Sequence, residues 1–576
     1  MRSNLHSPNP GRPTSTARAV AFLMGCVPLI ATAQAVPDAG SLLREERREP
    51  RATLPPPSQV VPMPAPATAP PGGVRFTVTA FRLQGVTLLP EAELQAVLAP
   101  WLGRPIVFAD LAHAEQAVAD AYRQRGWLAR PQIPQQDLVG GVVTLRVTES
   151  RLGQVRIDDE GLSLRFDRGR IVLAATARQK PGEPLRPEDL DRAVNLLNDT
   201  PGLHASAVLA PGANPGETDL VLKPVDQPRW VGKVDMDDAS PRATGSVRVG
   251  ADLALNSPSG IGDQAVLDAS TTGAGNAFVS LGYTRPLGDD GWRIGVDGSL
   301  MEYRLGAEFA PLGAHGNSRT LGVRATYPLL RGSRRNVSLT LAAERSRFLN
   351  IAGGAVISDK NLTDVSVGFD GDSSDDLGGD GNTQWGIAIT RGRVDLSANA
   401  ANEQADAAGP RSAGRDTRLT WNLARLQQAG RAGMFWLSGN GQFADRNLDS
   451  ADKFSLGGAN GVRAYPALEG TGDNGWLASA EWRFPLLPTL QWVAFYDQGE
   501  VGVNQRVDFA GAPARERIDL KGVGMGMNWV PFERGMVRAQ LARRIGTNPL
   551  ADPASGDDSD GSLHRLRLWF SLAAGF

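Results

Sequence analysis

The chain has 576 residues, with 66 glycines, 40 prolines and a formal net charge of −2 at pH 7. This length excludes a single ordinary hydrophobic core unless one domain is a large barrel, and the glycine and proline content favours a β-rich protein with many turns. The near-zero charge gives no electrostatic reason to expect a nucleic-acid partner.

Residues 1–35 are predicted to form a secretory signal peptide. Arginines precede an apolar run over residues 19–30, and small-residue cleavage positions follow at Ala33 and Ala35. The single cysteine, Cys26, lies in this segment, so the mature chain would hold no disulfide and no cysteine metal site. A lipoprotein site at Cys26 is the alternative, although apolar residues continue past it. No later stretch has the roughly 18 consecutive apolar residues that a transmembrane helix needs.

Residues 36–49 are predicted to contain a docking and plug helix, which Ser41 would cap. A helix this short is unstable alone in water, so we expect it to dock against the rest of the protein. Residues 50–73 are rich in proline and predict an extended, semi-rigid linker. The alternative is that both segments form a disordered leader without a role.

Two modules with similar element orders are predicted at residues 74–150 and 151–228. In the first, a strand over residues 76–83 precedes two helices and a hairpin that turns near residues 140–141. Its helices carry apolar residues at helical spacing: Leu94, Val97 and Leu98, then Leu111, Val118 and Tyr122. The second module has a strand with Val155 and Ile157, a helix with Leu190, Val194 and Leu197, and strands over residues 205–209 and 218–222. Both modules are therefore predicted to be small α+β domains.

Residues 229–576 predict strand after strand, with apolar and polar residues alternating. The last strand places Leu566, Leu568, Phe570, Leu572, Ala574 and Phe576 on one face and Arg565, Arg567, Trp569 and Ser571 on the other. The strands of a soluble β-sandwich would also alternate apolar and polar residues. However, long segments, short connections and an aromatic C-terminal residue favour an outer-membrane barrel with a polar lumen. Sixteen segments start near residues 230, 242, 261, 275, 290, 316, 333, 359, 381, 411, 431, 474, 488, 515, 534 and 562.

The connection over residues 446–473 is predicted to fold into the barrel. It would be the sixth extracellular connection if the first strand starts in the periplasm. Residues 454–476 carry six glycines, which allow positive φ and a close approach to other surfaces. Alternation points Asp497 into the lumen, where a carboxylate is costly unless it is paired, and Arg463 offers a planar guanidinium. We predict an ion pair between Arg463 and Asp497; the alternative is that each is solvated separately in a wet lumen.

Two motifs carry a family resemblance. The loop sequence resembles the V-R-G-Y core of two-partner-secretion transporters (TpsB family, ShlB/FhaC/HecB type), through Val462, Arg463, Ala464 and Tyr465. The accompanying F-x-D-x-G is matched by Phe495, Asp497 and Gly499. Residues 376–381 are similar to a periplasmic turn of that family, and the two modules resemble its POTRA domains. Ala464 departs from the usual glycine and would be strained if the position needs positive φ.

The resemblance covers the whole mature chain and implies a mainly β protein. It would consist of an N-terminal helix, two small periplasmic α+β POTRA domains, and a 16-stranded antiparallel transmembrane β-barrel at residues 229–576, with Phe570 and Phe576 as the C-terminal barrel signal. The implied function is outer-membrane export of one large unfolded exoprotein, bound first by the POTRA domains, while the loop and the helix occlude the resting lumen.

The implied partners are the secreted client, outer-membrane lipid and the barrel-assembly machinery for insertion, with a monomeric chain and no cofactor, metal or nucleic acid. The client could be a haemolysin, an adhesin or a contact-dependent toxin. Client folding outside the cell would drive transport, since the chain has no phosphate-binding G-x-x-x-x-G-K-[ST] sequence.

Three alternatives remain from the sequence. A barrel-assembly factor shares the architecture but generally has more POTRA modules, and a passive porin would leave both modules without a role. An enzyme is disfavoured because the chain has no G-x-S-x-G elbow and its five histidines lack ligand spacing. The acidic run over residues 370–380 suggests calcium, but it lacks EF-hand spacing and is predicted to be a solvated periplasmic connection.

Overall fold

The structure, a computed structural model, describes residues 36–48, 75–158, 161, 163–273 and 275–576. The predicted signal peptide and proline-rich linker, residues 1–35 and 50–73, lie outside the described residues, and both stay predictions. Within the described ranges, no helix is long and apolar enough to cross a membrane.

Helix α1, Ala39–Glu46, begins after Asp38, so the predicted cap at Ser41 was wrong. The Asp38 carboxylate accepts a hydrogen bond from the Ser41 backbone N–H at 2.9 Å. In return, the Ser41 hydroxyl oxygen accepts one from the Asp38 N–H at 3.0 Å. This reciprocal pair satisfies two N-terminal donors that have no partner within the helix. Ser41 therefore supports the cap from the third helical position.

The first module combines two α-helices with five short strands. These are β1 Phe76–Thr77, β2 Ala80–Gln84, α2 Glu91–Leu98, β3 Pro105–Ile106, α3 Phe108–Gln124, β4 Ala129–Gln132 and β5 Val142–Glu149. The sheet order is β2-β5-β4, and the inner faces of α2 and α3 pack on it. The single strand predicted over residues 76–83 is two strands, because Val78 bridges to Leu102 and the chain changes partners there. As a result β1 pairs with β3, whereas β2 pairs in parallel with β5.

The second module contains a helix that the sequence did not reveal. Its elements are β6 Arg151–Ile157, α4 Arg168–Ala175, α5 Pro187–Asn198, β7 Leu203–Pro211 and β8 Glu217–Asp226, with sheet order β6-β8-β7. Asp167 caps α4 by accepting a hydrogen bond from the Arg170 N–H at 3.1 Å. Only Ile171 and Ala175 are buried among the residues of α4. A helix with so few buried positions has a weak hydrophobic period.

Sixteen antiparallel strands close into a barrel, in which β26 pairs with β9. The elements from here to the C-terminus are β9 Trp230–Asp237, β10 Arg248–Asn256, β11 Gln264–Thr271, β12 Asn276–Leu287, β13 Trp292–Arg304, β14 His315–Arg331, β15 Arg335–Ala352, β16 Ala355–Asp375, β17 Gly381–Asp395, α6 Ala400–Ala408, β18 Gly414–Gln428, β19 Met434–Ala444, β20 Phe454–Ser455, β21 Thr471–Gly472, β22 Asn474–Leu487, β23 Leu490–Gly502, β24 Arg517–Trp529, β25 Gly535–Arg544 and β26 Leu566–Gly575. The short strands β20 and β21 pair only with each other, outside the barrel wall.

Two predicted boundaries in the barrel were wrong. The second strand was expected from residue 242, but residues 242–244 form a 3-10 turn and β10 begins at Arg248. The acidic connection predicted over residues 370–380 is shorter, because Asp370 to Asp375 pair with β17 and extend β16. The strand ladder satisfies their backbone groups, which is why polar side chains there do not end the strand.

The alternation predicted for the last strand is present. Leu568 and Phe570 are exposed on the outer surface, as is the C-terminal Phe576, whereas Trp569 is buried on the lumen side. The backbone of Phe576 exchanges two hydrogen bonds with Gly232, so the C-terminal residue takes part in closing the barrel. An apolar outer face and a polar inner face are typical of a barrel in lipid.

One end of the barrel, which we call the module end, contacts the second module. Asp290, in the turn between β12 and β13, accepts hydrogen bonds from Arg178 Nε at 2.8 Å and from the Tyr327 hydroxyl at 2.6 Å. Arg331, where β14 ends, donates from Nε to Asp199 at 2.6 Å. These contacts attach the second module to the rim at the module end. The opposite end of the barrel, where β13 ends and β14 begins, we call the far end.

Candidate functional site

The connection between β19 and β22, residues 445–473, enters the barrel from the far end; we call it the lumen loop. Five of its apolar side chains are fully or nearly fully buried: Leu456, Val462, Ala464, Tyr465 and Phe454. They pack in one cluster with the lumen-facing residues Phe495, Ile518, Leu520 and Ala542 of the barrel wall. This apolar contact gives the loop a defined position against β23, β24 and β25.

Arg463 of the lumen loop forms an ion pair with Asp497 of the barrel wall. Both side chains have no solvent exposure. The guanidinium donates from Nε to Asp497 Oδ2 and from Nη2 to Asp497 Oδ1, each at 2.7 Å. The Arg463 backbone N–H also reaches Asp497 Oδ2 at 3.2 Å. Two parallel charge-assisted bonds make this a bidentate pair with a strict geometry.

Four further wall residues complete the surroundings of Arg463. Its Nη1 donates to Glu481 Oε1 at 2.8 Å, and its Nη2 donates to the Ser479 hydroxyl at 3.2 Å. The guanidinium carbon lies 3.4 Å from the ring centroid of Phe495, a cation–π contact. From β26, Trp569 Nε1 donates to the Arg463 carbonyl at 2.7 Å. The loop is thus held to β22, β23 and β26 through one residue.

Tyr465 and Gly499, two other predicted site residues, serve the fit of the loop. Tyr465 is buried, and the guanidinium carbon of Arg544 lies 5.1 Å from its ring centroid. At Gly499, a Cβ would lie 2.6 Å from the Leu456 side chain. Glycine at this wall position therefore leaves room for the loop to approach.

Ala464 adopts no strained backbone conformation. The described non-glycine residues with positive φ are Ser257, Ala307, Arg411 and Leu468, so position 464 does not need positive φ and the alanine is not strained there. Its side chain is fully buried, and a Cβ added to Gly522 on β24 would lie 2.7 Å from the Ala464 Cβ. The alanine side chain of the loop therefore fits against the wall because the facing wall residue is a glycine, which has no side chain.

We expect Gly522→Ala to weaken loop docking by about 1–3 kcal/mol, because the two methyl groups cannot occupy the same space. The Ala464→Gly change removes one of them and should restore docking in the double variant. Protease cleavage within residues 445–473 of the folded barrel measures this. Equal cleavage of the single and double variants would contradict the packing argument.

The sequence did not identify Glu469, which ties the lumen loop to the connection between β25 and β26. Its carboxylate accepts hydrogen bonds from Asn548 Nδ2 at 2.6 Å and from the Ser559 backbone N–H at 3.1 Å. Burial raises the pKa of Glu469, although these hydrogen bonds oppose the effect. Glu481 was also missed; the alternation in β22 could have revealed it, because it lies two residues after the inward Ser479.

Helix α1 also lies in the lumen, beside the loop. Leu42 and Leu43 are buried in a cluster formed mainly by the wall residues Met301, Tyr303, Leu305, Phe348, Leu362, Val394 and Leu396. At Gly40 a Cβ would lie 2.8 Å from the Ala451 Cβ, so the first helical turn touches the lumen loop directly. The helix therefore packs between the barrel wall and the loop.

A buried lysine joins helix, loop and wall at the start of α1. Lys360 of β16, which is 3 % exposed, lies 3.0 Å from Asp38 and 2.7 Å from Asp449 of the lumen loop. The Ser450 hydroxyl donates to Asp38 at 2.7 Å. Burial alone would raise the pKa of Asp38, but the Lys360 charge and the hydrogen bonds from Ser41 and Ser450 lower it to about 2.

At the other end of α1, charged side chains reach the wall and the loop. Glu46 accepts a hydrogen bond from Asn276 Nδ2 at 3.1 Å and pairs with Arg248 at 3.3 Å. Arg47 pairs with Glu344 at 3.0 Å. Arg48 donates to the carbonyl of Gly457 at 2.9 Å. The lumen loop and α1 thus form one assembly inside the lumen. Side-chain contacts with the barrel wall hold this assembly in place.

Among the described residues, no group of three or more histidine, cysteine, aspartate and glutamate side chains is arranged to hold a metal ion. What the arrangement can do is block or open a passage. Its two elements, α1 and the lumen loop, lie inside a closed wall and are held there by ion pairs and apolar contacts.

Comparison with known proteins gives a family match. The model of the family described as haemolysin secretion/activation protein ShlB/FhaC/HecB matches residues 216–529, and that of the ShlB-type POTRA domain matches residues 76–150. The heme/hemopexin transporter protein HuxB of Haemophilus influenzae is 25 % identical over 530 residues, covering 89 % of this chain and 92 % of HuxB. The outer membrane transporter CdiB of Dickeya dadantii is 25 % identical over 486 residues, covering 81 % and 84 %. The solved structure of CdiB from Escherichia coli shares the fold, with a TM-score of 0.68 at 19 % identity. The superposition covers 94 % of this chain and 96 % of the CdiB chain.

Proposed function

Because this chain belongs to the ShlB/FhaC/HecB family of haemolysin secretion/activation proteins, we propose that it exports one large exoprotein through its barrel by two-partner secretion. Members of the family are outer-membrane transporters with periplasmic POTRA domains, so the module end faces the periplasm and the far end faces the exterior. The observation that carries the proposal is a closed 16-stranded barrel whose lumen holds α1 and the lumen loop. Both can leave without opening the wall.

The first step of the proposal is capture of the client in the periplasm. The sheet orders β2-β5-β4 and β6-β8-β7 leave the outer strands of each POTRA module with one neighbour. Unpaired backbone N–H and C=O groups on such an edge can accept an extended polypeptide as an additional strand. The attachment of the second module at Asp290 and Arg331 keeps this edge next to the barrel mouth.

The second step is passage through the lumen. A barrel of sixteen strands is wide enough for an aqueous channel, but α1 and the lumen loop fill part of it. Passage requires both to be displaced, which breaks the contacts of Arg463 with Asp497 and of Lys360 with Asp38. Folding of the exported client outside the cell supplies the direction of transport, and the chain acts as a pore and not as an enzyme.

The proposal includes partners beyond the client. The outer face contacts outer-membrane lipid, the barrel-assembly machinery inserts the chain, and the protein works as a monomer. Assembly of other barrels is the second function considered, but two POTRA modules and a filled lumen favour export.

Export is tested in cells that carry a large exoprotein gene adjacent to this one. We expect the exoprotein at the cell surface or in the medium only when the chain is produced. The surface level of an unrelated barrel protein is the control, because a barrel-assembly factor would change that level. Unchanged export without the chain, or loss of the unrelated barrel, would refute the proposal.

A further inference from the structure

The outer surface of the barrel carries a group of arginines near the exterior ends of β14, β15, β17 and β18. We call it the arginine cluster; its members are Arg319, Arg345, Arg347, Arg391, Arg393 and Arg415, all exposed. The turn at Asp290 marks the periplasmic end of β13, so β14 starts and β15 finishes at the exterior end. The cluster therefore lies within a few residues of the exterior rim, on the lipid side of the wall.

Strand register places the arginines side by side. Arg319 is directly opposite Arg347, and Arg393 is directly opposite Arg415. Thr363 of β16 is opposite Arg345 on one side and opposite Arg393 on the other. Because neighbouring strands are about 4.8 Å apart, two sets of three arginines stand about 10 Å apart.

Carboxylates offset only part of this positive charge, because Arg345 and Arg393 interact with the Asp395 carboxylate and Arg347 pairs with a second one. Arg347 pairs with Asp359 at 2.7 Å, and Arg391 donates to the Thr417 hydroxyl at 2.5 Å. The other four arginines of the cluster form no ion pair with any described residue. Like charges directly opposite each other destabilise a sheet, so an external anion would stabilise the cluster.

On β23 and β24, at the same height, two outward cations are paired with carboxylates. Arg517 of β24 lies 3.7 Å from Glu500, and Lys521 lies 2.8 Å from Asp519. These pairs also face outward and lie near the exterior rim. Single exposed arginines also occur near this rim at Arg304 and Arg543, whereas β14 to β18 place arginines directly opposite one another.

Exposed apolar side chains begin directly below the cluster, towards the periplasm. They are Leu321, Val323, Leu341, Val365, Val367, Ile387 and Ile389. A molecule that fits this surface has an anionic head at the level of the arginines and hydrocarbon below it. Between the two sets of arginines, Asn361 and Thr363 face outward and offer hydrogen-bonding groups to an uncharged polar part of the head.

We propose that the arginine cluster binds a phosphorylated glycolipid of the exterior leaflet, with one phosphate at each set of arginines and acyl chains on the apolar residues below. Guanidinium groups suit this role because they bind phosphate oxygens in a bidentate manner. The site is separate from α1 and the lumen loop, and it goes beyond the proposed export function. It binds the barrel to a specific lipid at one side of its circumference.

The test uses the full chain, purified in detergent, and lipid A with two phosphates as the probe. The variant replaces Arg319, Arg345, Arg393 and Arg415 with glutamine. The dissociation constant for lipid A should rise by roughly tenfold or more, since each surface cation contributes about fivefold to binding an anionic lipid. A matched variant, Arg517→Gln with Lys521→Gln, should bind as the unchanged protein does.

Two further measurements separate lipid from other sources of phosphate and from misfolding. Replacing the same four arginines with lysine should recover part of the affinity, whereas lipid A stripped of its phosphates should bind weakly to every variant. Unchanged binding after the glutamine changes, an equal loss in the matched variant, or displacement of lipid A by millimolar inorganic phosphate would overturn the proposal.

Discussion

Replacing Arg463 with alanine is expected to free the lumen loop from the barrel wall and to reduce client export to a small fraction of the normal level. Asp497, which has no solvent exposure, would lose its charged partner, and Glu481 would lose a bond of 2.8 Å. Removing one member of a buried ion pair costs about 3–5 kcal/mol. In the proposed export, the lumen loop leaves its docked position and then returns to it. A loop that lacks the Arg463 contacts cannot return to that one position.

Hydrogen exchange of the purified barrel measures the loss of docking. Amides within residues 454–472 should exchange at least about 100-fold faster in Arg463→Ala, following the cost of the broken pair. Arg515→Ala is the matched control, because Arg515 is an exposed arginine whose side chain donates to the Pro549 carbonyl at 3.3 Å. Barrel insertion should be normal in both variants. Normal exchange and export in Arg463→Ala and in Asp497→Ala would refute the role of the pair.

The chemistry of the pair can be separated from its charge. Arg463→Lys keeps a cation but cannot reproduce the two parallel bonds to Asp497, so an intermediate exchange rate is expected. In the double variant Arg463→Ala with Asp497→Ala, the effects should not add, since either change alone breaks the same contact. Additive effects would mean that the two residues act independently.

Deleting residues 36–48, which include α1, is expected to raise the single-channel conductance about twofold or more. A helix with its side chains is about 10 Å across, so its removal widens the narrowest part of the passage. A single change should act in the same direction: Lys360→Ala leaves Asp38 and Asp449 close together without their shared cation. The helix start and the loop would then repel each other, and brief openings should become more frequent.

Planar bilayer recordings of the purified chain make this measurement. Lys223→Ala provides the control, because Lys223 is a half-exposed lysine of the second POTRA module that pairs with Asp158. The control should show the conductance of the unchanged protein. An unchanged conductance in the deletion variant would show that α1 does not restrict the passage.

Much of the architecture could be read from local patterns. Alternation along β26 and β23 identified the faces of those strands, including the inward positions of Asp497 and Trp569, because side chains of a strand point to opposite sides with a period of two. The same logic fails where local signals compete. The local pattern predicts a cap at Ser41, although Asp38 caps the helix. It also predicts a turn for the polar residues at the end of β16, although the neighbouring strand pairs with them.

By itself, the sequence determined that a long series of alternating strands follows two small modules. It also determined that a glycine-rich stretch with one arginine, residues 454–476, lies where two of those strands are connected. Only the tertiary structure decided what meets inside the barrel. Trp569 contacts Arg463 across 106 residues, and Lys360 contacts Asp38 across 322 residues. Such contacts depend on strand register and on closure of the barrel, which are properties of the whole chain and leave no periodic signal around either residue.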